Sequence, residues 1–345
     1  MKAIVVRQPG GVDAMRLESI PEPVAGARDV VIKVEACGVC FHDVLTRNGT
    51  LKAGVKMPCV LGHEISGTVA EVGREVTRFK AGERVATAQR YHICGSCRFC
   101  RSGREALCAE RKFLGDWGLV GGYAEYVAVE DDNVALVPEG VALAEASIAA
   151  CAIGTLLNAV RDVGKLKMGE SALVTGAGGG LGLHAIQLAR LAGAFVIAQT
   201  TSPDKAELIR KMGAHEVVLH ARGEDFSGEV KRLTGGRGVD VLLDNVGTPL
   251  FEPMRRSLGV AGRWILIGQL SGQFIQFNPA QLFLKNQSML AVTSTSRNQL
   301  EDVLQLMSRG QVRAVVTREL SLEQAGEAHG AVEAGRATGR ILLRP

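Results

Sequence analysis

The chain has 345 residues, 46% of them hydrophobic and 22% charged, with a formal net charge of +4. That composition excludes a disordered chain, leaves apolar surface for about two cores, and offers no strongly basic face for nucleic acid. Glycine departs from the ordinary at 42 residues, which implies many turns and close backbone approaches of the kind nucleotide-binding proteins need.

The longest charge-free apolar stretch runs from Ala146 to Val160, shorter than the roughly 20 residues a membrane helix requires. The apolar run after Met1 is too short for a secretory signal. These features predict a cytoplasmic protein without a membrane partner.

Up to about residue 150 the pattern is one of short strands, such as Val30–Val34, Gly67–Val72 and Tyr123–Val129, punctuated by Gly, Pro and Asn. Seven of the eight cysteines fall in this region, and in a reducing compartment clustered cysteines read as metal ligands before disulfides. Cys94, Cys97, Cys100 and Cys108 place four thiols within fifteen residues. Zinc takes four sulfurs tetrahedrally, and a closed site of that kind has no open position, so its role is structural. Arg98, Arg101 and Arg104 are available to offset the charge. A redox-active cluster is the competing reading, and a nucleic-acid-binding ribbon is disfavoured because three of the cysteines sit in one run. Cys37, Cys40, Cys59, His63 and Cys151 are dispersed, and spacing alone does not assemble them. Two cysteines and a histidine with an open fourth position would form a catalytic zinc site.

From about residue 150 the rhythm changes. Strands at Ala172–Thr175, Phe195–Ala198, Val239–Leu243 and Trp264–Ile267 alternate with helices at Leu183–Leu191 and Lys205–Met212, the pattern of a parallel sheet covered on both faces. A helix over Gln299–Met307, a strand over Arg313–Thr317, a helix over Leu322–Glu333 and a strand over Ile341–Leu343 complete the chain. The glycine turn at 176–182 ends the first of these strands and opens a helix. Its Gly178, Gly179, Gly180 and Leu181 would let the backbone and a helix N-terminus approach a pyrophosphate. No Asp or Glu lies between Gly182 and Pro203, where an acid would bind the ribose hydroxyls of NAD(H). Thr200, Thr201, Ser202 and Lys205 would instead accept a 2′-phosphate, so NADP(H) is favoured over NAD(H). Asp204 after Pro203 belongs to the first helical turn.

Cys40, the Gly62-His63-Glu64 run, the four clustered cysteines, Cys151 and the glycine turn occur in this order along nearly the whole chain. Together they resemble the zinc-containing medium-chain alcohol dehydrogenases, of the medium-chain dehydrogenase/reductase superfamily. The resemblance implies an α/β fold: a β-rich, GroES-like catalytic domain over 1–153, including a structural zinc loop at 94–108, then a Rossmann domain with a doubly wound parallel sheet over 154–294. A C-terminal return to the first domain would occupy 295–345, with the active site in the cleft. It implies two zinc ions per chain, a catalytic one on Cys40, His63 and Cys151 and a structural one on the cysteine cluster. Glu64 would be the acid beside the metal, and Asp43 the carboxylate that orients the ligand histidine. Thr155, Val246 with Gly247, Gly268 and Arg340 would line the cofactor. A small-molecule alcohol or carbonyl substrate and a homodimer or homotetramer also follow from the resemblance.

The chain departs from that family at one place. Alcohol-oxidising members usually carry Ser or Thr two residues after the zinc cysteine, and many carry a relay His five residues after it; here the residues are His42 and Leu45. Either His42 does both jobs as a general acid/base, or no such relay operates and His42 is structural. Gln89 and Arg90 fall where pocket residues are expected, which hints at a polar or anionic substrate. Three activities are thus in view. The leading one is alcohol–carbonyl interconversion, and the alternative is NADPH-dependent reduction of an activated C=C bond in an enoyl thioester or enone. A nicotinamide-binding protein without turnover is disfavoured by the full ligand set.

Overall fold

A computed structural model describes all 345 residues, which divide into two compact units, Met1–Gly154 with Ser294–Pro345 and Thr155–Thr293. The first unit opens with β1 (Lys2–Val6), β2 (Met15–Ser19), β3 (Asp29–Gly38), α1 (Phe41–Arg47), β4 (Cys59–Val60), β5 (Glu64–Val72) and β6 (Arg84–Thr87). It continues with β7 (Arg90–His92), β8 (Lys112–Phe113), β9 (Tyr126–Glu130), β10 (Val134–Leu136) and α2 (Leu143–Ser147). Ala149–Gly154 winds as a π-helix. The second unit begins with α3 (Thr155–Leu157) and a further π-helical stretch at Asn158–Val163. It then alternates β11 (Ser171–Val174), α4 (Gly182–Leu191), β12 (Phe195–Thr200), α5 (Ala206–Lys211), β13 (Glu216–Leu219), α6 (Ser227–Leu233) and β14 (Val239–Asp244). It ends with α7 (Phe251–Ser257), β15 (Leu258–Leu266), α8 (Ala280–Phe283) and β16 (Ser288–Ala291). The chain returns to the first unit with α9 (Arg297–Ser308), β17 (Val316–Ser321), α10 (Ala325–Glu333) and β18 (Arg340–Arg344).

In the first unit the larger sheet runs β10-β6-β5-β3-β18-β17, with β9 also on β3, and a second sheet runs β2-β1-β4. Ile32, Leu61, Ile65, Val69, Tyr123, Val127, Ile341 and Leu343 are buried in its core. The centre of the sheet positions the candidate site. β3 pairs with β5 so that Gly38 faces Glu64, and with β18 so that Gly38 faces Leu342. The end of β3, the start of β5 and the C-terminal strand therefore meet at one place.

The second unit is a six-stranded, wholly parallel sheet in the order β13-β12-β11-β14-β15-β16. Numbered within the unit this is 3-2-1-4-5-6, the doubly wound order of dinucleotide-binding domains. Leu173, Ile197 and Leu242 from its central strands pack with Phe251, Met254 and Trp264.

Several elements differ in extent from the sequence expectation: β5 begins at Glu64 rather than Gly67, and β15 at Leu258 rather than Trp264. The strand expected over Arg313–Thr317 lies at Val316–Ser321, because β17 is an outer strand, largely exposed, whose register is set by parallel pairing with β18 and not by its own side chains. The strand expected from Tyr123 begins at Tyr126, because the Tyr123 backbone bonds instead to Leu61 O and Ile4 N.

Candidate functional site

The clustered cysteines fold back on one another. Cys94 and Cys100 Sγ are 3.9 Å apart and Cys97 and Cys100 Sγ 3.5 Å, while the N–H groups of Cys97 and Cys94 donate to Cys94 Sγ (3.3 Å) and Cys108 Sγ (3.5 Å). Four bonds of 2.3 Å to a tetrahedral zinc would hold sulfurs about 3.8 Å apart, so the donor set fits that ion. The N–H groups of Cys97 and Ser96 draw the Cys94 thiol down to about 6. Arg98 and Arg104 stack on Phe99, with guanidinium carbons 4.6 and 5.6 Å from the ring centre.

The dispersed residues converge at the end of the main sheet. Cys40 is the residue before α1, His63 and Glu64 enter β5, and Cys151 comes from the π-helix, a geometry that recurs at functional sites. One ligand atom from each lies within 4.8 Å of all the others, and all four residues are buried. Cys40 and Cys151 Sγ are 4.0 Å apart, close to the sulfur spacing a tetrahedral zinc requires. Gly62 makes the approach of His63 possible: its φ is +97°, and a Cβ there would fall 2.5 Å from the Tyr123 ring.

Asp43 holds the histidine. Its Oδ1 accepts from His63 Nδ1 at 3.0 Å and from the Gly62 N–H at 3.3 Å, and its Oδ2 accepts from the Cys40 N–H at 2.9 Å and from Tyr123 Oη at 3.2 Å. Burial works against ionisation, but the charge and hydrogen bond of His63 keep the Asp43 carboxyl well below the usual range. With Nδ1 occupied, His63 has Nε2 left for a metal. The hydrogen bond from Cys151, with the charges of Arg340 and His63, pulls the Cys40 thiol far down against its burial. Cys37 and Cys59 take no part; burial pushes both thiols up, that of Cys59 to about 12.

Arg340, expected to line the cofactor, lies at this cluster. Its Nη2 is 2.7 Å from Glu64 Oε1, 3.7 Å from Cys40 Sγ and 3.8 Å from Cys151 Sγ. The pairing of β18 with β3 carries it there, and a buried carboxylate among thiols demands a cation. Burial pushes Glu64 up to about 7 even with that partner. Gln89 and Arg90 hold the chain where it returns to the first unit. Arg90 is fully buried and donates to Asn133 Oδ1, Ser294 Oγ and Thr295 O, while Gln89 Oε1 accepts from Thr295 N, so both fasten the returning chain.

His42 sits beside the cluster, its ring 5.2 Å from that of His63 and 4.8 Å from that of Phe113. Its Nε2 is 2.8 Å from Asp116 Oδ2, and Thr46 Oγ1 donates to Asp116 Oδ1 at 2.8 Å. Asp116, Tyr123 and His329 were missed in the sequence reading; each is isolated in the chain, with no spacing pattern to mark it.

In the second unit the glycine turn joins β11 to α4. A Cβ on Gly182 would lie 2.4 Å from Gly176 O, and one on Gly178 2.6 Å from Lys205 Cδ, so the lysine stem lies over the turn. At the end of β12, Thr200 Oγ1 accepts from Ser202 N, and no carboxylate follows until exposed Asp204. Buried Asp244 accepts from the N–H groups of Val246 and Gly247 and from Trp264 Nε1, which fixes the next turn. Gly268 approaches within 2.7 Å of Asn245 O at its Cβ position. Thr155 Oγ1 and Asn245 Oδ1 are buried without a protein partner. A glycine turn at a strand-to-helix junction, with unpartnered buried polar atoms in the same unit, fits a nucleotide.

Residues 26–139 match the alcohol dehydrogenase GroES-like domain, and residues 180–309 match the zinc-binding dehydrogenase domain. The chain is 34% identical to an acryloyl-coenzyme A reductase of Sulfurisphaera tokodaii, covering 100% of both chains. The chain belongs to the zinc-type medium-chain dehydrogenase/reductase family. It is 32% identical to an NAD-dependent alcohol dehydrogenase of Sulfolobus acidocaldarius, covering 100% of this chain and 99% of that one. A solved NAD-dependent alcohol dehydrogenase superposes with a TM-score of 0.94 at 33% identity, with both chains fully covered. As a member of this medium-chain family the protein is an oxidoreductase acting on small molecules. No helix in it is long and apolar enough to cross a membrane.

Proposed function

We propose that this medium-chain oxidoreductase interconverts an alcohol and an aldehyde or ketone, using zinc at Cys40, His63 and Cys151 and NADP(H) at the glycine turn. The observation that carries this reading is the convergence of two thiols and one correctly oriented imidazole from three distant segments. Such a set leaves a fourth position for substrate. When bound, zinc supplies Lewis acidity to the substrate oxygen and the nicotinamide gives or takes the hydride. Asp43 keeps His63 in the ligating tautomer, and Arg340 balances Glu64 and the thiols. His42, with Nε2 bound to Asp116, exchanges the substrate proton at Nδ1: it gives the proton during carbonyl reduction and takes it during alcohol oxidation.

A second zinc on Cys94, Cys97, Cys100 and Cys108 is structural. Thr200, Thr201, Ser202 and Lys205 receive the 2′-phosphate, beside the phosphate-binding Gly178, Gly179, Gly180 and Leu181. Thr155, Val246 and Gly268 border the rest of the cofactor. A homodimer or homotetramer is supported by the open edge of β16 and by exposed Phe274, Phe283 and Leu284 close to it in sequence. Eight free cysteines suit a cytoplasmic location.

Reduction of an activated C=C bond is the second reading. It is favoured by an imidazole at position 42 in place of a hydroxyl, and by the acryloyl-coenzyme A reductase likeness. Lys56 and Lys112, whose ammonium groups lie 5.3 and 5.2 Å from the centre of the Trp117 ring, would suit an anionic acyl carrier. One assay separates the readings: NADPH oxidation by the zinc-loaded protein with a panel of aldehydes and ketones, and with an α,β-unsaturated acyl thioester. Carbonyl turnover is the expected result. Thioester turnover without carbonyl turnover would replace the first reading by the second.

A further inference from the structure

We propose that Tyr123 and His329 are positioning residues for His63, acting as the middle of a buried, one-directional hydrogen-bond chain from Arg47 through His329 and Tyr123 to Asp43. The inference rests on the zinc reading of Cys40, His63 and Cys151. Arg47 Nη1 is 3.5 Å from His329 Nδ1, His329 Nε2 is 3.1 Å from Tyr123 Oη, and Tyr123 Oη is 3.2 Å from Asp43 Oδ2. Arg47, Asp43, Tyr123 and His329 are all essentially solvent-free.

The chemistry of the four groups permits only one direction. A guanidinium only donates, so His329 Nδ1 accepts and its proton resides on Nε2. That N–H donates to the phenol oxygen, which leaves the single phenol proton for Asp43. The opposite direction would point two donors at each other between Arg47 and His329 and would set phenol lone pairs against a carboxylate. Burial also keeps the His329 imidazole neutral, its pKa pushed down to about 4. The outer end is closed by Arg47 Nη2, 2.8 Å from Glu333 Oε2 at the surface.

Asp43 therefore has two donors on each oxygen, and the Tyr123 phenol is the only side chain besides His63 among them. It fixes the carboxylate plane, and through it the tautomer and ring angle of His63. The Tyr123 ring also packs against the Gly62 peptide that carries His63, where a Cβ would collide with it. Outer partners of a metal ligand typically contribute a factor of about 10 to 100 in metal affinity.

The test is the rate of zinc transfer to a chelator from the loaded full-length protein, with the visible spectrum of the cobalt-substituted form reporting the Cys–Cys–His geometry. Tyr123→Phe and His329→Leu are expected to release zinc from this site about tenfold faster or more, with a shifted cobalt spectrum. Release from the four-cysteine site should not change. His329→Gln, whose amide offers one donor and one acceptor as the neutral imidazole does, is expected to stay close to wild type. Wild-type release and spectra in both Tyr123→Phe and His329→Leu would overturn the proposal, as would a His329→Gln as defective as His329→Leu. Wild-type protein that holds zinc only on Cys94, Cys97, Cys100 and Cys108 would instead overturn the zinc reading itself, and the proposal with it.

Discussion

His42 and Asp116, 74 residues apart in the chain, form a 2.8 Å hydrogen-bonded pair, and Thr46 fixes the carboxylate from its other oxygen. The carboxylate selects the tautomer and holds the ring against Phe113 and His63. His42→Gln is therefore expected to lower kcat for carbonyl reduction by about 10²-fold or more, the usual contribution of a positioned acid/base. Asp116→Asn should have a smaller effect on kcat, with little change in KM. Steady-state kinetics and NADPH titration check this, and wild-type kcat in His42→Gln would leave His42 a structural residue.

Cys151→Ser is expected to reduce bound zinc from two ions to one per chain and to abolish carbonyl reduction, while cofactor affinity persists. Cys97→Ser should remove the other ion and act mainly on stability, because a closed four-sulfur site has no open position for substrate. Elemental analysis, thermal melts and NADPH binding distinguish the two losses. Full activity in Cys151→Ser would show that the metal assignment is wrong.

Thr200→Asp is expected to weaken NADPH binding by about tenfold or more while sparing NADH. The new carboxylate would repel a 2′-phosphate and accept from ribose hydroxyls, and each such charged hydrogen bond contributes on the order of 1.5–3 kcal/mol. Fluorescence titration with both cofactors measures it. An unchanged preference would move the 2′ site away from the end of β12.

His329 also makes a prediction about acid stability. An unfolded histidine takes its proton near 6.5, whereas burial pushes the folded group down to about 4. Above pH 6.5 both states are neutral and the group adds no pH dependence. As the pH falls from 6.5 toward 4 only the unfolded chain binds the proton, so stability declines, by on the order of 3 kcal/mol in total. Urea unfolding at pH 7 and pH 4.5 should show this component in the wild type and its loss in His329→Gln. An equal decline in both proteins would assign it to other groups.

The degree to which each part was legible in the sequence follows from how local its causes are. Strands β11, β12 and β14 were readable because each is an apolar run bounded by turns, whereas only the end of β15 was, since its first half carries Gly259 and Gly262; α4 was readable because a glycine turn precedes a helical apolar segment. The outer strand β17 was misplaced because its residues carry no apolar pattern and its pairing with β18 alone sets its limits. Cys94, Cys97, Cys100 and Cys108 announced themselves because a single loop can aim all four sulfurs at one ion.

The sequence by itself therefore determined the class of the protein: a β-rich region with a four-thiol loop, a parallel α/β region with a phosphate-binding turn, and no acid at the end of its second strand. For Cys40, His63 and Cys151, spacing was silent and only the family resemblance pointed to them. The tertiary structure decided which buried groups share an environment. It brought Arg340 to Glu64, turned Arg90 inward as a clasp, and joined Asp116 to His42 and Tyr123 to Asp43 and His329. None of those partners could be found from chain position, because strand order and register set which residues meet. In a low-dielectric interior every charge and hydrogen-bonding group must find its partner across the fold, however distant in sequence.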